Sequence, residues 1–272
     1  MPARKSKPFV ARKTRMRAAA PTQKIGNALL MSYATSVEYR REIFKLVWAE
    51  LMPPVQKVGD SVFIGDRISL LSMLGLNDLR KRAFSLASSF VTKVNRRSER
   101  STWSELEALG KELTVSSPLV TTTLSEQIEI NVGLITDLTD EFRQKLVTLY
   151  TDKTIDQSEI YPTLRRELGN RAALIAEDQN AKIFTTLNTE RMLGSGLKTF
   201  YWDHSSAGKY PRKCHQLRDG HEFLLTLDPS RLYWPDGSPA DADFGGKKGD
   251  AGLPGYAIRC RCRMRPVVSL DD

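Results

Sequence analysis

Near the end of the chain, Arg259, Arg261, Arg263 and Arg265 alternate with Cys260, Cys262 and Met264. A period of two belongs to extended backbone, where successive side chains point to opposite faces. The alternation therefore predicts a β-strand over 259–265, with four guanidiniums on one face and soft apolar groups on the other, closed by Pro266. Most of what precedes it is spaced as helix. A chain of this kind has to bring helices onto a small terminal sheet, which predicts an α+β fold. The expected form is a mostly helical N-terminal half followed by a small α+β C-terminal module, with short antiparallel strands and a long Gly/Pro/Asp loop.

The helical pattern is read in segments. From Lys24 to Leu51, the residues Leu29, Leu30, Tyr33, Val37, Tyr39, Ile43, Phe44, Val47 and Leu51 make a broad apolar stripe, stopped by Pro53-Pro54. A second helix is expected over 67–95, followed by a solvated turn at 96–100. Thr102-Trp103-Ser104-Glu105 has capping-box spacing for a further short helix. The β-branched segment 115–124, containing Pro118, is read as a boundary. Helix resumes over 128–149. Ser158 caps another helix with Pro162 in its first turn, and Gly169 is its expected stop. A last helix over 171–192 carries Gln179 on its apolar face, where a polar side chain needs partners; a structural hydrogen-bond network is the leading reading and a ligand site the alternative. Leu197 to Trp202 then alternates as a strand. These boundaries divide the chain into a flexible basic arm (1–24), a helical region (25–115) and a C-terminal domain (125–268).

Charge is distributed unevenly. The net charge is +9, yet the first 37 residues carry Arg4, Lys5, Lys7, Arg12, Lys13, Arg15, Arg17 and Lys24 with no acidic residue. The remainder is nearly balanced. Such an arm reads as a polyanion-seeking segment, binding double-stranded DNA or an acidic protein by counterion release, with a solubilising tail as the alternative and a mitochondrial presequence as a third reading that the rest of the chain disfavours. The arginine row 259–265 is a second candidate DNA-contacting set. No apolar run approaches the length of a membrane span, and no signal peptide is visible at the basic N-terminus.

All cysteines (Cys214, Cys260, Cys262) and all histidines (His204, His215, His221) lie between Trp202 and Pro266. Cys214, His215, His221, Cys260 and Cys262 are thus candidate metal ligands, with zinc as the cofactor they would suit. Two thiolates on one zinc lie only about 4 Å apart. Same-face neighbours on a strand stand ~7 Å apart. The strand reading therefore argues against C-x-C chelation, favouring buried free thiols and no cofactor, with zinc or a disulfide as the alternatives. Cys214 and His215 adjoin in sequence, which does not establish a nucleophile–base pair, so no catalytic residue is assigned.

The order Leu174-Ile175-Ala176-Glu177-Asp178-Gln179, Gly196, Trp202, Arg212-x-x-His215, Asp219-Gly220, Phe223, Pro254-Gly255 and Cys260-Arg261-Cys262 followed by Pro266 resembles the phage Mu protein F-like head morphogenesis family. The resemblance covers about 130–268. Within it Asp178, Gln179, Trp202, Arg212, His215, Gly220, Pro254, Gly255, Cys260, Arg261 and Cys262 are the structural motif residues. Two positions depart from the pattern: Glu177 stands where an arginine is usual, and Ser205–Gly208 where an acidic-Arg pair is usual.

The resemblance implies a non-enzymatic minor capsid protein of a tailed phage or prophage. Its partners would be the portal protein, the major capsid or scaffolding protein, and packaged double-stranded DNA. It would be assembled in the host cytoplasm and reside in the virion, at the capsid interior or portal vertex. Some relatives carry a toxin or enzyme domain after this module; the few residues beyond Pro266 predict none here. The alternative is a metal-dependent nuclease or another DNA-acting enzyme of packaging.

Overall fold

A helix running without interruption from Gln157 to Gly194 is the spine of the molecule. In the computed structural model, residues 23–56, 76–111, 118–152, 154, 156–205, 212–245 and 250–269 are described. The elements in order are β1 (Gln23–Ile25), α1 (Tyr33–Gln56), α2 (Leu76–Ala108), α3 (Pro118–Thr151), α4 (Gln157–Gly194), β2 (Thr199–Asp203), α5 (Lys213–Arg218), β3 (Glu222–Leu224), a 3-10 turn (Asp241–Phe244) and β4 (Arg263–Ser269). The fold is α+β. Every pair among the four long helices is in contact. Their shared core holds Ile43, Val47, Phe90, Val94, Ile135, Phe142, Leu164 and Leu187. Buried residues recur at three- and four-residue spacings, as in Ile135, Leu138, Phe142 and Leu146 or Ile160, Leu164, Leu168 and Ala172, so each helix offers an apolar stripe to the others.

Several sequence boundaries are corrected. The first helix begins at Tyr33, because residues 23–25 pair with β4 as an edge strand. It passes through Pro53-Pro54 to Gln56. The expected turn at 96–100 and the capping box at 102 lie inside α2, which no Gly or Pro interrupts. Ser98 and Thr102, one turn apart, are instead buried against α4, and both hydroxyls donate to Asn188 Oδ1, at 2.6 and 2.9 Å. Pro118 opens α3 rather than opposing it, since the first helical position needs no amide donor. The next helix is capped by Asp156, whose carboxylate accepts the Ser158 N–H at 2.9 Å. Gly169 sits in mid-helix, so 157–194 is one helix, not two.

The network expected around Gln179 is present. Tyr39 Oη donates to Asn131 Oδ1 at 3.0 Å, and Asn131 Nδ2 reaches Gln179 Oε1 at 3.5 Å. Asp178 pairs with Lys182 at 2.8 Å.

The sheet is antiparallel throughout, in the order β1-β4-β2-β3. Pro266 does not close the terminal strand; it pairs with Phe200 in mid-register, and the strand runs to Ser269. The segment after β1 is stitched on both sides. Gly26 N–H donates to Pro266 O at 2.9 Å, while Asn27 N–H donates to Glu105 of α2 at 2.7 Å. The sheet's edge thus comes from the N-terminal side of the chain. Among the described residues, no helix is long and apolar enough to cross a membrane.

Candidate metal centre

The strand reading of the terminal motif fails at its first half. Arg259 has φ of 57°, a left-handed conformation that costs an L-residue roughly 1–2 kcal/mol. Cys260 N–H closes the turn on Ala257 O at 2.8 Å. The strand starts only at Arg263. Cys260 and Cys262 therefore lie on a turn and its exit, not at same-face positions of a strand, and the strand separation assumed from the alternation does not apply.

The two cysteines converge on His215. Their Sγ atoms lie 3.5 and 3.6 Å from His215 Nδ1. One donor atom from each of the three residues falls within 4.8 Å of the others. His215 is supplied by α5, a helix of six residues that also carries Cys214 and Arg218. Its ring stands edge-on to Trp202 of β2 at 5.3 Å between centroids. All three residues of the cluster are buried, at 3–8% exposure.

Asp250 anchors the loop end to this helix. Its carboxylate pairs with Arg212 at 2.7 Å. Its carbonyl accepts from Arg218 Nη1 at 2.7 Å and lies 3.3 Å from His215 Nε2. Arg212 also donates to Ile258 O at 2.6 Å. Arg212, His215 and Arg218, spaced by three, thus hold the strap 250–258 along one helix face. The next turn of the strap carries Gly255, whose N–H points at Cys260 Sγ, 3.3 Å away. Gly255 has φ of 87°, and a Cβ there would meet Thr185 Oγ1 at 2.5 Å. Thr185 in turn donates to Pro254 O, also at 2.5 Å. That hydrogen bond fastens the strap to α4.

The electrostatics follow from burial. Arg218 is fully buried, its guanidinium 5.1 Å from the Trp202 ring and 5.6 Å from Phe244. Burial lowers its pKa, while Cys214, Asp241, Cys260 and Asp250 oppose that shift. The Cys260 thiol is held well below its ordinary value, chiefly because Cys262 hydrogen-bonds to it, with His215 and the Gly255 amide adding to the effect. Cys262 is pushed up as the other half of that bond and by burial. Cys214 is raised, first by burial and then by the Asp250 carboxylate.

The remaining candidates are placed elsewhere. His221 stands among Phe223, Trp234 and Phe244, in ring contact with each. Cys214 groups with His215 and Asp250 rather than with the other two sulfurs. Three of the four terminal arginines have partners within the chain. Arg263 pairs with Asp203 at 2.6 Å, Arg265 donates to Gly26 O at 3.0 Å, and Arg261 lies over Tyr33 and 3.9 Å from Glu177. Arg259 is exposed on its turn. The basic residues Arg4, Lys5, Lys7, Arg12, Lys13, Arg15 and Arg17 lie outside the described residues. Arg218 and Asp250 were not singled out from the sequence. The signal for Arg218 was its three-residue spacing from His215; Asp250 sits in a loop whose composition hides it.

No protein-family model and no solved structure matches the chain. It is 22% identical over 271 aligned residues to an uncharacterized protein of Haemophilus influenzae, an alignment covering 89% of this chain and 55% of that one. The chain thus spans about half the length of the relative it matches.

Proposed function

We propose that this chain is a minor head protein of a tailed phage or prophage, built in near the portal vertex. It would contact portal protein, the major capsid or scaffolding protein, and packaged DNA through the basic arm. The observation that carries the reading is the ordered series of motif residues from Leu174 to Pro266. Their spatial arrangement supports treating the series as one unit. Trp202, Arg212, His215, Pro254, Gly255, Cys260 and Cys262 meet around one strap, although some sixty residues separate the first from the last.

A structural role fits the burial. A nuclease needs its metal and its general base within reach of a phosphate, whereas His215 and its two cysteine neighbours are enclosed by Trp202, the strap and α5. That arrangement favours a module that holds its shape over one that turns over a substrate.

The test is co-expression with the portal protein of the genetic element that encodes the chain. Portal should co-purify with the full-length protein. Deleting residues 1–22, which stops short of the edge strand β1, should weaken DNA binding and flatten its salt dependence. An element without a portal gene, or a portal that binds neither the chain nor proheads containing it, would overturn the reading.

A further inference from the structure

We infer that His215, Cys260 and Cys262 form a binding site for a thiophilic divalent cation, zinc by its chemistry, which clamps the strap 250–262 onto α5 and the sheet. This inference does not rest on the phage reading.

Four observations converge on it. The first is reach: donor atoms of the three residues lie within 4.8 Å of one another, compatible with thiolates and an imidazole settling around one ion with small side-chain shifts. The second is the imidazole's orientation. His215 Nε2 lies 3.3 Å from the Asp250 carbonyl, which can only accept, so the proton belongs on Nε2. That leaves the Nδ1 lone pair directed at both sulfurs. A histidine metal ligand is commonly held this way, its second nitrogen donating to a carbonyl or carboxylate.

The third is the strap's backbone. The Gly255 amide donates to Cys260 Sγ at 3.3 Å, a contact that stabilises a thiolate. Gly255 lacks the Cβ that would meet Thr185 Oγ1 of α4 at 2.5 Å, so the strap can lie against that helix while its amide points at the sulfur. The fourth is Arg218, a fully buried cation whose Nε and Nη2 have no hydrogen-bond partner among the described residues. A buried charge of this kind calls for negative charge nearby. Zinc with two thiolates and one neutral histidine carries no net charge, so filling the site adds no positive charge beside Arg218.

The donor chemistry selects the ion. Two sulfurs and an imidazole suit zinc and exclude magnesium and calcium, which take oxygen ligands. Burial of the donors assigns a structural role rather than a catalytic one, since a catalytic zinc keeps a position open to substrate.

The experiment uses the full chain, expressed without a polyhistidine tag and purified under reducing conditions without chelator. Elemental analysis should find stoichiometric zinc. Stripping the metal and adding cobalt(II) should produce the visible bands of tetrahedral coordination and a near-ultraviolet sulfur-to-cobalt band. Cys260→Ser, Cys262→Ser and His215→Ala should each weaken zinc affinity at least tenfold, whereas His215→Cys should keep the metal. Chelator should lower the melting temperature of the wild type and leave that of the Cys260→Ser/Cys262→Ser chain unmoved. Where a variant fails to fold, removing and restoring metal in the wild type carries the test alone. A folded, reduced wild type that takes up neither zinc nor cobalt overturns the inference. So does undiminished zinc in the double serine variant, or a Cys260–Cys262 disulfide recovered from the native protein.

Discussion

The bundle buries Phe142, Ile135, Leu164 and Leu187 on helices of 34 and 38 residues. The cysteine–histidine module buries Trp202, His215, Cys260 and Arg218 on elements of three to seven residues or on loops. A long helix repeats its apolar stripe many times, so no single contact decides whether it docks. A three-residue strand or a six-residue helix cannot do this. Short elements stay together only if specific groups cross-link them. Here the links are the Asp250 carbonyl, the Arg212 guanidinium, the Gly255 amide and the sulfurs around His215. The difference teaches that the two regions should fail differently: the bundle by losing area, the module by losing individual links.

Phe142→Ala is the largest expected effect and tests the first half of that contrast. Its side chain is 1% exposed within the shared core of the helices. Truncating a buried phenylalanine costs about 3–5 kcal/mol, from lost transfer energy and the cavity left behind. Denaturant unfolding should show the full loss, unaffected by chelator. A loss below about 1 kcal/mol would mean the bundle closes over the cavity and does not depend on area at this point.

Gly255→Ala tests the second half with a single methyl group. The new Cβ would lie 2.5 Å from Thr185 Oγ1, on a residue with φ of 87°. The left-handed backbone alone costs an L-residue about 1–2 kcal/mol, and the contact adds to it. The expected total is about 2–4 kcal/mol by thermal or denaturant unfolding. Thr185→Ala in the same chain should return only part of this. It removes the clash but leaves the strained φ and deprives Pro254 O of its donor. Full recovery in the double variant would show that strap and helix touch without being specifically joined.

These two residues also mark what could be read from the amino-acid order. Phe142 belongs to a periodic stripe, and periodicity survives as signal because each turn repeats it. The errors within the bundle came from local punctuation. Gly169 and Ser98–Thr102 read as breaks, but packing of α4 against its neighbours outweighs a glycine's modest helix penalty and buries the hydroxyls on Asn188. In the module the same reasoning fails for a different cause. The alternation from Arg259 to Arg265 is present in sequence, and buried and less buried residues do alternate from Cys260 to Pro266. Yet the left-handed Arg259 and the turn that Cys260 N–H closes keep 259–262 out of the ladder, which begins at Arg263. Nothing in the residue types announces this, because arginine rarely adopts a left-handed conformation. The convergence on His215 depends on that turn and on Asp250, thirty-five residues from the histidine, and was not visible to a reading of spacings.

The smallest expected effect concerns a charge that the bundle, rather than the module, keeps inside. Glu190 of α4 is buried, with Thr123 Oγ1 of α3 donating to its Oε1, while Oε2 has no hydrogen-bond partner among the described residues. Burial raises its pKa above the ordinary 4.5, and Glu126 adds to the rise, against the opposing effects of Thr123 and Arg191. The unfolded chain titrates at the ordinary value. Between that value and the raised one, the folded chain holds the proton more tightly, so stability falls as pH rises through this window. Glu190→Gln keeps the shape and an acceptor for Thr123 but cannot ionise. It should therefore melt higher than wild type at neutral pH, and the advantage should shrink as pH falls toward 4.5. Melting temperatures of both chains across mildly acidic to neutral pH give the answer. An advantage independent of pH would assign the gain to packing. No advantage at any pH would mean that the bundle, like the module, compensates its buried polar groups one by one, and the contrast between the two regions would weaken to one of element length.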